Sequence, residues 1–434
     1  MFFPRLFLVL LVFAAPVTVV VDGPIIYGLV AAVAAISIAT IAMKIRPGEA
    51  GFLSAVIRPI AYVAAVPAIW MMIQVMPLQT FGLAHSVWKS AAAALGHPLA
   101  GAISIDPGAT LIALMRYLST IAIALIAAAV AIDRQRAEWA LFALMASTTL
   151  VAMMALATKF GVFTFLTSGN NREQSDFLAT AIAGLGIILS SAAALHTIEQ
   201  REMSHPKQIR SDRGWLAFSA CLVAFAICCL ATLIVATSQT YFAVGCGIAT
   251  LVVATMIRRF DIGAWGIAGI ISTALFIAIA VTATQLNNQS VDLSLAFATQ
   301  APMPLIAITQ RILTESGWAG TGAGTFAYIL PIFRDMEELT SGQIAPTAAA
   351  TIAVEMGRPF FWATLLAMVT LALTLLSGAL RRHRDSFYPT AGASCVVVVA
   401  LLAFGNSAPL ATSVSIIAAT AIGMAIAQRK SRLI

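Results

Sequence analysis

The sequence predicts an all-α polytopic integral membrane protein, and three observations carry that prediction. Apolar residues make up 60% of the 434 residues and charged ones only 10%. Mean hydropathy is +0.95, which does not describe a soluble core. Apolar windows of roughly 20 residues, enough to cross about 30 Å of hydrocarbon, recur along the chain and give about twelve helices.

Taken in order, Leu6–Val21 comes first. No small-residue cleavage site of the usual kind follows Val21, so the segment is expected to stay as an anchor. Ile25–Met43, Ile60–Met76, Gly108–Ile132, Trp139–Ala157 and Phe177–Leu195 come next, with short connections on the cytoplasmic side. Trp215–Ala236, Tyr241–Ile257 and Gly263–Thr284 complete the run before the one long polar interruption. Beyond it lie Phe361–Leu380, Pro389–Phe404 and Ala408–Ala427, the last two forming a tight pair around Asn406. The whole chain, 1–434, reads as a single integral domain with a large outer loop at 285–360.

Charge orients the bundle, because Lys and Arg stay on the cytoplasmic side during insertion. With the N-terminus inside, 18 of the 25 basic residues fall on the cytoplasmic face and 6 outside, with Arg116 left within a helix. Acids divide 8 inside and 10 outside, so both termini are expected in the cytoplasm. The net charge of +7 is then a topology signal that suits anionic lipid headgroups and does not call for nucleic acid. Cys221, Cys228, Cys229, Cys246 and Cys395 all lie in apolar spans without ligand spacing, and read as small buried hydrophobes; no metal site or cofactor is implied.

Outside the membrane, Pro77–Pro107 carries His85, Trp88, Lys89 and His97, and Gly161–Asp176 carries Gly169-Asn-Asn-Arg172. In the large loop, Leu305, Ile308 and Ile312 share one face of a helix expected over Pro304–Gly317, with Arg311 and Glu315 four apart as a surface pair. A second short helix is expected to begin at Pro346, run over Thr347–Glu355 and end at Gly357 in the left-handed cap. Gly320, Gly322 and Gly324 let the backbone pass close to something, either a ligand or the chain itself in a tight turn. A mid-helix arginine costs at least ~2.5 kcal/mol on insertion scales, so Arg116 should face the bundle interior, meeting a lipid diphosphate or a buried carbonyl or acid.

The run Trp318-Ala-Gly320-Thr-Gly322-Ala-Gly324-Thr-Phe326, then Pro331-Ile-Phe-Arg334 and Glu355-Met-Gly357, resembles the signature loop of the bacterial O-antigen ligase and polymerase family. Trp70-Met-Met-Ile-Gln74-Val-Met-Pro77, Gly169-Asn-Asn-Arg172 and Thr237-Ser238-Gln239 resemble its other landmarks in the same order. The resemblance implies a GT-C-like membrane glycosyltransferase of the inner membrane, metal-independent and without cofactor. Its donor would be an undecaprenyl-diphosphate-linked glycan at the periplasmic face, and its acceptor the lipid A core or a second lipid-linked glycan.

Two departures stand out. Family members carry His-Asn nine residues before the Glu-x-Gly, where this chain has Pro346-Thr347, and an Arg after the serine where it has Gln239. The resemblance thus offers Arg311 and Glu355 as candidate catalytic residues. Arg116, Arg172, Gln239, Gly320, Gly322, Gly324, Arg334 and Arg358 are the substrate-binding candidates. Three functions fit these residues: a ligase-like or polymerase-like transferase, an inactive relative acting as a binding or assembly partner, and a transporter.

Overall fold

A computed structural model describes residues 2–21, 23–44, 47–77, 84–162, 172–203, 212–259, 303–333, 347–381 and 386–429. The expected span Gly263–Thr284 lies outside these residues. The protein is an all-α membrane protein. Nine of the described helices are long and apolar enough to cross a bilayer, and two further apolar helices are shorter.

The order is α1 (Phe2–Val20), α2 (Pro24–Lys44), α3 (Pro47–Val75), α4 (Ser86–Leu95), α5 (Pro107–Val130), α6 (Arg134–Lys159), α7 (Arg172–Met203), α8 (Asp212–Val235) and α9 (Ser238–Arg259). After the undescribed stretch come α10 (Met303–Glu315), the single turn α11 (Phe326–Ile329), a 3₁₀ turn at Leu330–Phe333, α12 (Ala348–Glu355), α13 (Arg358–Leu380), α14 (Phe387–Gly405) and α15 (Thr412–Ala427).

Helix α7 forms the centre, with 83% of its apolar window buried, whereas α3 at 6% faces lipid along most of its length. Around α7 gather Leu141 and Leu144 of α6, Ala243 of α9, Cys395 and Val398 of α14, and Ile417 of α15. Small residues set the closest approaches. A Cβ on Gly423 of α15 would overlap the carbonyl of Ala124 on α5, and Gln428, just past α15, bonds the Ala131 carbonyl at the end of α5. Helices α5 and α15 therefore run side by side in the same direction.

The first segment packs into the bundle. Leu8, Leu11, Val12 and Ala15 of α1 are at most 2% exposed and belong to the main core. Pro16 lies inside α1 and has no N–H to give the Val12 carbonyl four residues back. Within hydrocarbon such a carbonyl needs another donor. Ser147 of α6 supplies it, its Oγ donating to Val12 O at 2.9 Å. Ser147→Ala is expected to cost about 0.6–1.7 kcal/mol, from the mean to the maximum for interhelical hydrogen bonds in a membrane protein, and denaturant unfolding in mixed micelles reads it directly.

On one side of the bundle the described parts of the large loop, α10 to α12, pack into a cap. Its small core unites Ile312 and Leu313 of α10, Phe326 and Ile329 of α11, and Ala350, Ala353 and Val354 of α12 with Phe361 of α13. On the opposite face His196 of α7, 2% exposed, meets Glu138 of α6 at 3.1 Å and stacks near Phe387.

The expected helix at Pro304–Gly317 matches α10 closely. The second differs at both ends. Thr347 caps α12, its hydroxyl accepting from the Ala350 amide at 3.0 Å, so the helix opens on a side-chain acceptor and not on a proline in its first turn. At the far end Gly357 has φ +95° and ψ +154°, an extended mirror conformation at the entry to α13, whereas Met356 closes α12 in the right-handed region.

Candidate functional site

The cap touches the membrane helices through the glycine run. Gly320, Gly322 and Gly324 have φ of +77°, +106° and +79°, values that side-chain-bearing residues rarely adopt. Each presses against this chain's own atoms. A Cβ on Gly320 would overlap the Glu355 carbonyl and one on Gly322 would overlap Ser104, while one on Gly324 would stand 3.0 Å from the Ala109 carbonyl. The close approach expected of these glycines is therefore made within the protein, to the segment 104–109 and to the junction 355–357.

Two residues of α3, four apart and so on one face, hold that junction. Gln74 is 0% exposed and uses both ends of its amide. Its Nε2 donates to the carbonyls of Ala319 (3.1 Å) and Glu355 (2.9 Å), and its Oε1 accepts from the Ala323 amide (3.2 Å). Trp70 Nε1 donates to the Met356 carbonyl at 3.0 Å. Main-chain bonds finish the lattice: Ile105 N–H to Thr321 O, Thr321 N–H to Val354 O and Gly322 N–H to Glu355 O, each 3.0 Å. In the sequence Trp70 and Gln74 were visible only as landmarks, because nothing in a membrane helix announces which polar side chain reaches a loop some 250 residues away.

Glu355 ends α12, and its Oε1 accepts from the Phe326 amide at 3.0 Å. Burial raises its carboxyl to about 7, against smaller opposing contributions from the Gly324 and Phe326 amides and from the Arg116 charge. Part of the residue still reaches the surface. A carboxyl so placed changes charge near neutrality, as a proton acceptor must.

Arg116 lies on α5 below Ala109 and Ala113, the residues that Gly324 faces. Its Nη2 donates to the Leu410 carbonyl at 2.8 Å, and its guanidinium lies 4.4 Å over the ring of Tyr27 on α2. It thus faces protein, as its cost in hydrocarbon requires, with a carbonyl and an aromatic ring as direct partners and Glu355 within its field.

The other candidates are more dispersed. Arg311 is 68% exposed on α10, paired with Glu315 at 3.3 Å and 5.9 Å from the Phe333 ring. Arg358 opens α13 and donates to the Leu313 carbonyl at 3.4 Å. Gln239, second residue of α9, lies against Gly405 at the end of α14. Asn406 follows directly, and its carbonyl accepts from the Ala348 amide at 3.0 Å, tying α12 to the same corner. Arg172 begins α7, while the rest of Gly169-Asn-Asn-Arg172 and Arg334 lie outside the described residues. The structure thus brings Glu355, Arg116 and the glycine run together, and leaves Arg311 on the outer surface of the cap.

Among the described residues, no three His, Cys, Asp or Glu side chains gather in a way that could hold a metal ion. The cysteines are free and lie within α8, α9 and α14. A scan of the chain against models of known protein families finds no match, and neither does a search of curated proteins.

Proposed function

We propose that this protein is a membrane glycan transferase that acts on an undecaprenyl-diphosphate-linked oligosaccharide or polysaccharide at the periplasmic face, in the manner of an O-antigen ligase or an exopolysaccharide polymerase. One observation carries the reading: a buried carboxyl with a raised pKa, Glu355, is held by loop amides within the field of an arginine on a membrane helix.

The acceptor hydroxyl gives its proton to Glu355 as its oxygen attacks the anomeric carbon. The bond from that carbon to the diphosphate oxygen breaks, and the diphosphate leaves as an anion. A guanidinium stabilises this departing charge without losing its own. Arg116 acts on the carboxyl from α5 through its charge, and Arg311, exposed on the outer surface of the cap, is the second candidate cation. The basic bias of the loops supports cytoplasmic termini and an outer-face cap, and the resemblance to the ligase and polymerase family supports the inner membrane.

A second reading, a binding or assembly partner without turnover, draws support from Pro346-Thr347, which stands where the resembled family has His-Asn. Gene deletion followed by gel analysis separates the outcomes. Loss of ladders on lipid A means ligation, loss of long secreted polymer means polymerisation, and an unchanged profile with retained glycan binding supports the partner role. In membranes from the deletion strain, Arg311→Ala is expected to abolish transfer; full transfer by that variant removes Arg311 from the machinery.

A further inference from the structure

The geometry points to a phosphate or diphosphate ester site at the N-terminus of α15, built from the first-turn amides, the hydroxyls of Thr412 and Ser413, and Arg116. It rests on the proposed function for the identity of the lipid carrying the phosphate, while the site itself stands on three observations.

The first is depth. Helix α15 has 16 residues, about 24 Å, too short to cross about 30 Å of hydrocarbon. It packs alongside α5 with Ala124 against Gly423, and the Leu410 carbonyl just before it meets Arg116. Arg116 is the tenth residue of α5, so α15 begins about two and a half turns below the start of its neighbour. A helix end recessed into the membrane, reached by non-helical chain, is the arrangement with which membrane proteins hold anions.

The second is incomplete satisfaction. No side chain caps the helix at Ala411, which leaves first-turn N–H groups and the positive end of the helix dipole unopposed. Thr412 Oγ1 and Ser413 Oγ are buried without a hydrogen-bond partner, Ser413 being only 1% exposed. Elsewhere on the same helix Thr420 returns its hydroxyl to the Ile416 carbonyl. Side chains in a first turn lean toward the N-terminus, so both hydroxyls tilt to the end where the amides are free.

The third is charge. The Arg116 guanidinium donates to the carbonyl of Leu410, two residues before Thr412, and so stands at the mouth of the same helix end. Its attraction for Glu355 connects this mouth to the carboxyl at the end of α12.

The test uses the full chain in detergent micelles with farnesyl diphosphate, inorganic pyrophosphate and farnesol as probes, read by calorimetric titration and thermal unfolding. Farnesyl diphosphate should bind, pyrophosphate should bind more weakly, and farnesol should not compete. Pyrophosphate binding as tightly as the lipid would assign the site to a free anion, and competition by farnesol would overturn the phosphate assignment.

Thr412→Val with Ser413→Ala should weaken farnesyl diphosphate binding about tenfold or more, as lost hydrogen bonds to a charged group do, while the ligand-free protein keeps or gains thermal stability. Unchanged affinity sinks the site. So does failure of the hydroxyl-free variant to fold, since that would mean the hydroxyls are already bonded within the protein. Transfer is scored separately: wild-type protein that binds the diphosphate but transfers no glycan would remove the reaction and leave the site standing.

Discussion

Glu355→Gln should lower glycan transfer by about a thousandfold, within the 10²–10⁴ range of general acid–base contributions, while lipid-linked glycan still binds. The amide keeps an oxygen for the Phe326 N–H, so that bond survives while the proton acceptor is lost. The pH dependence is equally specific. Burial raises the carboxyl to about 7, so the ionised form needed to accept a proton becomes populated through that value. Transfer by the wild-type enzyme should therefore climb as pH rises through about 7 and level off above it. A rate that falls over that interval would make Glu355 the acid, and a flat profile in both proteins would take it out of the chemistry.

Stability should move in the other direction. A carboxyl that binds its proton more tightly when folded, about 7 against an ordinary 4.5, contributes fully below the lower value. That contribution is lost as pH rises through the interval between the two. Glu355→Gln, a permanent mimic of the protonated form, should thus unfold at a higher temperature than wild type above neutrality. Melting curves at acidic and alkaline pH supply the comparison, and a variant less stable than wild type at alkaline pH contradicts the cause given for the shift.

Gly357→Ala should be the most damaging single-methyl change in the cap. The position has φ +95°, a conformation costing a side-chain-bearing residue of order 1–3 kcal/mol. The new methyl would also overlap the Trp318 carbonyl, which is backbone and cannot rotate away. Because Glu355, Met356 and Gly357 are stitched to α3 through Gln74 and Trp70, a shift here displaces the carboxylate from its amides. The expected result is loss of transfer with a sharp drop in folded yield, seen as aggregation on size exclusion. Gly317→Ala is the control, with no atom within 4 Å of its added carbon, and should behave as wild type.

Most of the architecture was legible because a bilayer imposes one rule on every span, and the hydropathy of α2, α5 or α8 obeys it without reference to neighbours. Helix α10 was legible for the same reason, its Ile308 and Ile312 falling on one face and packing into the cap core. Position Glu355 could be singled out from its place beside Gly357. Its environment could not, since the burial that raises the carboxyl, and the Phe326 amide and Arg116 charge that oppose the rise, come from distant parts of the chain. Thr347 was passed over in favour of its proline neighbour, although a threonine before an alanine-rich turn is itself a capping signal. The glycine run was ambiguous by nature: positive φ signals close approach, and only the fold says to what.

The proline in α1 bears on how the chain is made. Its orphaned carbonyl at Val12 waits for a hydroxyl 135 residues downstream. When the first segment leaves the ribosome, that partner has not yet been synthesised, so α1 enters the translocon with an unmet acceptor. Lateral release should therefore be delayed until α6 arrives, and nascent chains truncated before Ser147 should linger against the insertion machinery longer than those extending past it.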